Sequence, residues 1–323
     1  MNKWKDNILK MNNLNFNNMK RGLKMVLLNV ALILQCSCNS TPVEIKLNLE
    51  KGKEYTQSNI STLTTKIGFP DGSTMDMPIT IAGIMSFIVE SESDTAYLVE
   101  VKYKKLSMTM KMPQGVSMTF DSESADDIMS KSFKGIVDNL FKIILLKNGR
   151  VSSVDMSAFW DKFDSSLEWL PLMQKEQVFE QIKQAYGEKA FKGSFEQVFA
   201  FLPEEYVEKG EKWHTQIELN ANFPATMDSE YRLEKIAKNY LSIIGTSNIS
   251  TNGLQDAITQ STSGELMKYN LTGTATSNIK IDRKTGWVIE ATIKQTLKGK
   301  SIIGDVEMSM EMIGNMKYTK YIK

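Results

Sequence analysis

Long stretches of this chain place an apolar side chain at every second position, and that alternation limits the fold before anything else does. Met108, Met110 and Met112 alternate with Thr109 and Lys111. Met308, Met310 and Met312 alternate with Ser309 and Glu311, and Met75 and Met77 flank Asp76. In a β-strand successive side chains point to opposite faces, so each methionine set shares one face of its strand. The same pattern, bounded by turn residues, predicts strands over 43–49, 55–67, 79–90 and 96–111. It predicts further strands over 213–219, 231–237, 240–247, 266–281, 287–297 and 302–318. Turns are marked by Pro70-Asp71-Gly72, by Asn148-Gly149 between two apolar runs, and by Asp282-Arg283-Lys284-Thr285-Gly286.

The middle of the chain changes period. Ile128, Phe133, Ile136, Val137 and Leu140 recur at helical spacing behind Ser124 and Asp127, a variant of the capping box. From Met156 to Phe201 the pattern is helical again, and Pro171 and Gly187 divide it into two or three helices. The expectation is a helical insertion over about 124–202 inside a single β-rich domain spanning 43–323.

One segment has an echo. Leu49-Glu50-Lys51-Gly52-Lys53-Glu54-Tyr55 resembles Val207-Glu208-Lys209-Gly210-Glu211-Lys212-Trp213. Two related β-halves would produce it, and so would common turn chemistry used twice.

The N-terminus carries a different signal. Lys20, Arg21 and Lys24 precede the apolar run from Met25 to Leu34, which is too short for a membrane-spanning helix of about 20 residues. Residues 1–37 read as a secretion signal, with translation starting at Met19. The chain has two cysteines, Cys36 and Cys38, and both lie at the end of this run. A cysteine there resembles the lipobox of bacterial lipoproteins. Ser37 favours Cys38 as the acylated residue over Cys36, with residues 38–42 as a lipidated tether. Two or three acyl chains give stable anchoring where a single chain is marginal.

Composition narrows the functions. Of 39 basic and 38 acidic residues, six basic and one acidic lie in residues 1–37, which leaves 33 and 37, a net charge of −4. An acidic body without a basic run does not suit nucleic acid as a partner. No glycine-rich loop joins a strand to a helix as nucleotide binding requires. The single histidine, His214, lacks the partners that a triad or a histidine metal site needs and reads as a surface or structural residue. Asp126 and Asp127 fit the first turn of a helix, where they favour the dipole. No residue stands out as catalytic, and no cofactor is implied.

The 20 methionines remain. Met75, Met77, Met108, Met110, Met112, Met308, Met310 and Met312 allow three readings. They can fill a core wall, since methionine adapts to irregular gaps. They can line an apolar cavity for a lipid or another hydrophobic ligand. They can form a thioether site for Cu(I).

The cysteine after the signal, the turn at Gly52, the hairpin Asn148-Gly149-Arg150-Val151, the stretch Tyr186-Gly187-Glu188-Lys189-Ala190-Phe191 running to Leu202-Pro203, the turn at Gly210 and Asp282-Arg283-Lys284-Thr285-Gly286-Trp287 follow one another in order. In that order the chain resembles a family of uncharacterised Bacteroidota-type envelope lipoproteins built on a domain of unknown function. The resemblance implies an envelope lipoprotein and implies no activity. Lipoproteins exported to the surface of such bacteria often carry acidic residues after the cysteine. Asn39-Ser40-Thr41-Pro42-Val43 carries none, which resembles retention on the outer membrane facing the periplasm.

The expected fold is α+β and mostly β. Long antiparallel strands should form a curved sheet or incomplete barrel, with the central helices packed against it, similar in outline to periplasmic lipoprotein-carrier folds. The expected function is non-catalytic binding of a hydrophobic ligand or a protein partner, or else structural scaffolding in the envelope.

Overall fold

Alternation becomes a sheet because each strand has one face to bury. The computed structural model describes residues 41–321 apart from 113–114, 125, 221–222, 252–257 and 261–265. Its strands are β1 (Glu54–Gly68), β2 (Thr74–Glu92), β3 (Ala96–Lys111), β4 (Ser117–Asp121), β5 (Leu140–Leu146), β6 (Val151–Asp155), β7 (Lys212–Leu219), β8 (Ala225–Ile236), β9 (Tyr240–Ser250), β10 (Ile258–Gln260), β11 (Leu266–Asp282), β12 (Val288–Ile303) and β13 (Val306–Lys320). Its helices are α1 (Ile128–Ile136), α2 (Ser157–Ser166), α3 (Leu172–Tyr186) and α4 (Glu188–Phe199). Pro42–Lys323 forms one compact unit by itself, and the buried core side chains described, from Ile45 to Met312, all lie within it.

The strands make one curved, unclosed antiparallel sheet in the order β6-β5-β3-β2-β1-β13-β12-β11-β9-β8-β7, with β4 on β3 and β10 on β11. Neighbours in the sheet follow one another in sequence, apart from the short side strands β4 and β10, except where β1 pairs with β13, from Gln57 opposite Lys320 to Gly68 opposite Ser309. The sheet therefore winds like an up-and-down barrel with one seam, between β6 and β7.

Helix α4 fills that seam. Ala190, Phe191, Gly193, Phe195, Val198 and Phe199 are buried, so the helix is covered on most sides. A helix apolar over so much of its surface belongs in an interior. Exposed sheet edges invite pairing with another chain, and here each edge has a side-chain partner. The Glu196 carboxylate accepts a hydrogen bond from the Val151 amide of β6 at 2.8 Å. The Arg150 guanidinium donates to the Gln216 carbonyl of β7 at 2.8 Å.

One end of the interior closes on aromatic rings. Trp287 lies 5.1 Å from Tyr55, 5.2 Å from Phe87 and 4.7 Å from Phe199, ring centre to ring centre. Such tilted and edge-on pairs add to the burial of their area.

The segment 43–49 alternates as expected, with Ile45, Leu47 and Leu49 buried. It is not a strand of the ladder. It straps the end of the sheet, and its hydrogen bonds go to three places: Val43 to Val207, Leu47 to Lys147 and Asn48 to Thr285. The Tyr97 hydroxyl accepts from the Leu49 amide at 3.1 Å and donates to the Leu47 carbonyl at 3.2 Å.

Three other expectations are corrected. The segment 302–318 is not one strand: Gly304 at φ +56° and Asp305 form the turn between β12 and β13. The apolar residues on both sides, Ile302, Ile303 and Val306, hide that break in the sequence. The cap of α1 is Asp127, whose carboxylate accepts from the Ser130 amide at 2.9 Å, and Ser124 bonds Asp126 instead. Strands β2 and β8 begin several residues before the sequence pattern suggests.

The echoed turns are built alike. The Gly52 amide donates to Val89 as the Gly210 amide donates to Leu233. Lys53 bonds back to Glu50 as Glu211 bonds back to Glu208.

Candidate functional site

Register decides where the methionines go. Met75 and Met77 of β2 lie opposite Ile67 and Thr65 of β1. Those two residues lie opposite Met310 and Met312 of β13. Met110 and Met108 of β3 face Ile79 and Ile81 of β2, and on their other side Met118 and Phe120 of β4. Met308 stands opposite Ser301 of β12. Seven of the eight methionines singled out in the sequence thus share the inner face, toward one end of the sheet. Met112 lies just past β3, where its amide bonds Val116 across a turn, and is 44% exposed.

The three sets differ in cover. Met308, Met310 and Met312 are buried, while Met75, Met77, Met108 and Met110 are half-buried. Beside Met312 lies a cavity of about 80 Å³. Its apolar walls are Leu63, Leu219, Phe223, Ile249, Leu297 and Met312. Gly193, Ser194 and Gln197 of α4 form one side. The Gln197 amide donates to the Gln295 side-chain oxygen at 3.1 Å across it. Gly193 lets α4 approach the end of β7, since a Cβ there would come within 2.9 Å of the Asn220 amide nitrogen. Of the eight methionines, Met312 alone lines this cavity. The sequence did not point to Ile249, Phe223 or the Gln197–Gln295 pair, because their meeting depends on pairing between distant strands.

The inner face is electrically neutral where it is described. Burial raises the Tyr103 hydroxyl well above its ordinary value and pushes Tyr186 up to about 12. Burial also pushes Tyr318 up to about 12, against the opposing effect of a hydrogen bond with Ser61. All three remain neutral phenols at physiological pH. Gln57 is buried on this face, and its side-chain amide has no partner among the described protein atoms.

The opposite face of the sheet is polar along β11 and β12. Thr272, Thr274, Thr276 and Asn278 line β11, and Lys294 and Lys298 line β12. Lys298 and Lys66 bracket Glu311 at 2.9 and 3.9 Å, holding its carboxyl below the ordinary range. A membrane-spanning barrel turns an apolar band outward, and β11 and β12 turn the reverse. Among the described residues no helix is long and apolar enough to cross a membrane. His214 lies on this polar surface, 3.5 Å from Glu230.

The secretion signal over 1–37, the start at Met19 and the acylated cysteine at Cys38 or Cys36 lie outside the described residues, as does most of the tether over 38–42.

No curated protein matches the chain in sequence. Among solved structures it is similar to lipovitellin, at 9% identity and a TM-score of 0.47, over 85% of this chain and 26% of that one. It is similar to an outer membrane channel from Pseudomonas putida, at 6% identity and a TM-score of 0.22, over 85% of this chain and 97% of that one. It is also similar to a β-barrel-like protein of unknown function from Brucella abortus, at 10% identity and a TM-score of 0.18, over 86% of this chain and all of that one. The chain thus spans about a quarter of lipovitellin's length, and TM-scores this low carry no functional argument. The sequence profile of a family of unknown function (DUF6263) matches residues 94–288, from the turn before β3 to the start of β12. With more than half of its length matched, the chain belongs to that family.

Proposed function

We propose that this protein is a non-catalytic envelope lipoprotein that holds a hydrophobic ligand, such as an acyl chain, against the methionine-lined inner face. The observation that supports it is the register that turns seven methionines from three distant segments onto one neutral face beside an apolar cavity. Small-molecule sites typically enclose roughly 300–1,000 Å³, and this cavity is smaller. A ligand therefore enters by displacing side chains, and methionine, unbranched and with three rotatable bonds, is suited to that. Each methylene removed from water contributes about 0.8 kcal/mol, so an acyl chain of ordinary length compensates for the rearrangement.

The test is native mass spectrometry with lipid extraction on protein purified from its own envelope, joined to uptake of a fluorescent fatty acid. The expected result is a co-purifying lipid. Met312→Trp, which fills the cavity, should weaken uptake at least tenfold, whereas Thr296→Trp on the polar face should not. Protein that carries no lipid and takes up no fatty acid rules the reading out.

A second reading rests on another observation. Trp169, Leu172 and Met173, at the turn into α3, are 46%, 70% and 83% exposed. An apolar cluster of this kind suits docking to a protein partner, which fits an envelope scaffold.

A further inference from the structure

The turns at the two ends of the sheet differ in kind. Strand direction and pairing assign the turns 50–53, 93–95, 147–150, 208–211, 237–239 and 283–287 to one end. That end carries Glu50, Lys53, Arg150, Lys209, Lys238 and Lys284 and is crossed by the strap 43–49. The turns after β1, β3 and β12 lie at the other end. There the tips carry Met112, Val116 and Val306, which are 44%, 57% and 48% exposed, and Leu266 at the start of β11 is 61% exposed. Large aliphatic side chains are left in water at several tips of this end, beside Asp71 and Asp305, whereas the named groups at the tips of the other end are charged.

We propose that the apolar end docks onto a lipid surface, its tips inserting shallowly among the headgroups. Three features favour a bilayer over a protein partner. First, the apolar tips are separate prongs, since the β1–β2 turn with Asp71 lies between the tip of β3 and the tip of β12 and β13. A fluid bilayer closes around separate prongs, whereas a protein partner needs a matching hole for each. Second, Lys66, Lys111, Lys268 and Lys300 stand a few residues behind the tips, exposed on the outer face and interspersed with Asp76, Glu307 and Glu311, so the rim carries both signs of charge. Lys66 and Lys300 are ion-paired with Glu311 and Glu307, and Lys111 and Lys268 project at the same end. Lysines in that position reach headgroup phosphates while apolar neighbours sit deeper. Third, Met308, Met310 and Met75 line the inner face at this same end, so insertion joins an apolar interior to the hydrocarbon. The strap enters at the other end, so the lipid surface met by the tips lies opposite the side from which residue 42 emerges. The inference goes beyond ligand retention, since it rests on the exposed tips and not on what the cavity holds.

The test uses the body 42–323, which contains the described core and excludes the apolar N-terminal run. It is floated with phosphatidylcholine vesicles, alone and mixed with phosphatidylglycerol. The wild-type body should float with both. Val116→Asp and Val306→Asp should each reduce the bound fraction at least tenfold, while Lys209→Glu and Lys238→Glu at the opposite end leave it unchanged. Thermal melts of each variant separate loss of docking from loss of folding. The proposal is overturned if the wild-type body stays with the soluble fraction, or if tip variants with unchanged melts float as it does. It is also overturned if the tips instead drive self-association that Val306→Asp abolishes without any vesicle binding. Lipid retention is read separately, so either result leaves the ligand reading to its own test.

Discussion

Replacing Glu196 with alanine removes a side-chain acceptor that bonds α4 to the edge of β6. Its carboxylate is 5% exposed and accepts the Val151 amide at 2.8 Å. Val151 is itself 1% exposed, so nothing in solvent can replace the lost partner. Leaving a buried backbone donor unpaired costs about 1–3 kcal/mol, and a hydrogen bond to a charged acceptor contributes roughly 1.5–3 kcal/mol. Lys192, 3.9 Å from the same carboxylate and half in solvent, contributes little. The expected loss for Glu196→Ala is therefore about 2–3 kcal/mol. In a body of this size each kcal/mol shifts the melting temperature by about 2–4 °C, so the drop should be roughly 4–12 °C. Glu196→Gln keeps an acceptor oxygen and should lose less than about 1 kcal/mol. Urea unfolding gives the energies, and hydrogen exchange at the Val151 amide gives the location, with protection falling most in the alanine variant. Equal losses in the two variants, or unchanged exchange at Val151, would refute the account of how the seam is held.

Other outcomes follow from the same structure. Tyr186 and Tyr318 titrate near 12 in the folded chain and near 10 when unfolded. Their stabilising contribution is thus complete below pH 10 and is lost as pH rises from about 10 to 12. Allowing for their partial exposure, each should lose roughly 1–2 kcal/mol over that window. Unfolding curves that do not shift between pH 9 and 12 would contradict it. Gly149→Ala should be severe, costing more than about 3 kcal/mol. Its φ is +82°, and a Cβ there would approach the Phe199 carbonyl oxygen to 2.0 Å. A thermal melt within a few degrees of wild type would show that the hairpin and α4 do not meet as described. Trp213→Phe leaves the Phe201 carbonyl without the indole donor that reaches it at 2.6 Å. About 1–2 kcal/mol should be lost in urea, and a neutral result would exclude that bond.

Much of the local structure is legible in the residues. Strand β3 begins and ends where alternation and turn chemistry place it, and the Asn148-Gly149 and Asp282–Gly286 turns sit between the expected strands. Three helices follow Met156, separated at Pro171 and Gly187. The failures share one cause. In 43–49 alternation correctly marks an extended segment with one buried face, but period two cannot distinguish a ladder strand from a strap bonded to three elements. At Gly304 an apolar run crosses a two-residue turn and reads as unbroken strand.

The methionines show the division most clearly. The sequence by itself determined that Met75 and Met77, Met108 and Met110, and Met308 to Met312 each share a strand face, because backbone geometry sends alternate side chains the same way. It also determined that the chain is a β-rich domain interrupted by helices. Only the tertiary structure decided that the three sets turn to the same interior. That outcome depends on β1 meeting β13, a pairing between residues about 250 positions apart, and on α4 entering the seam. Pairing of that range is set by the burial of the whole sheet, and no local stretch of sequence carries it.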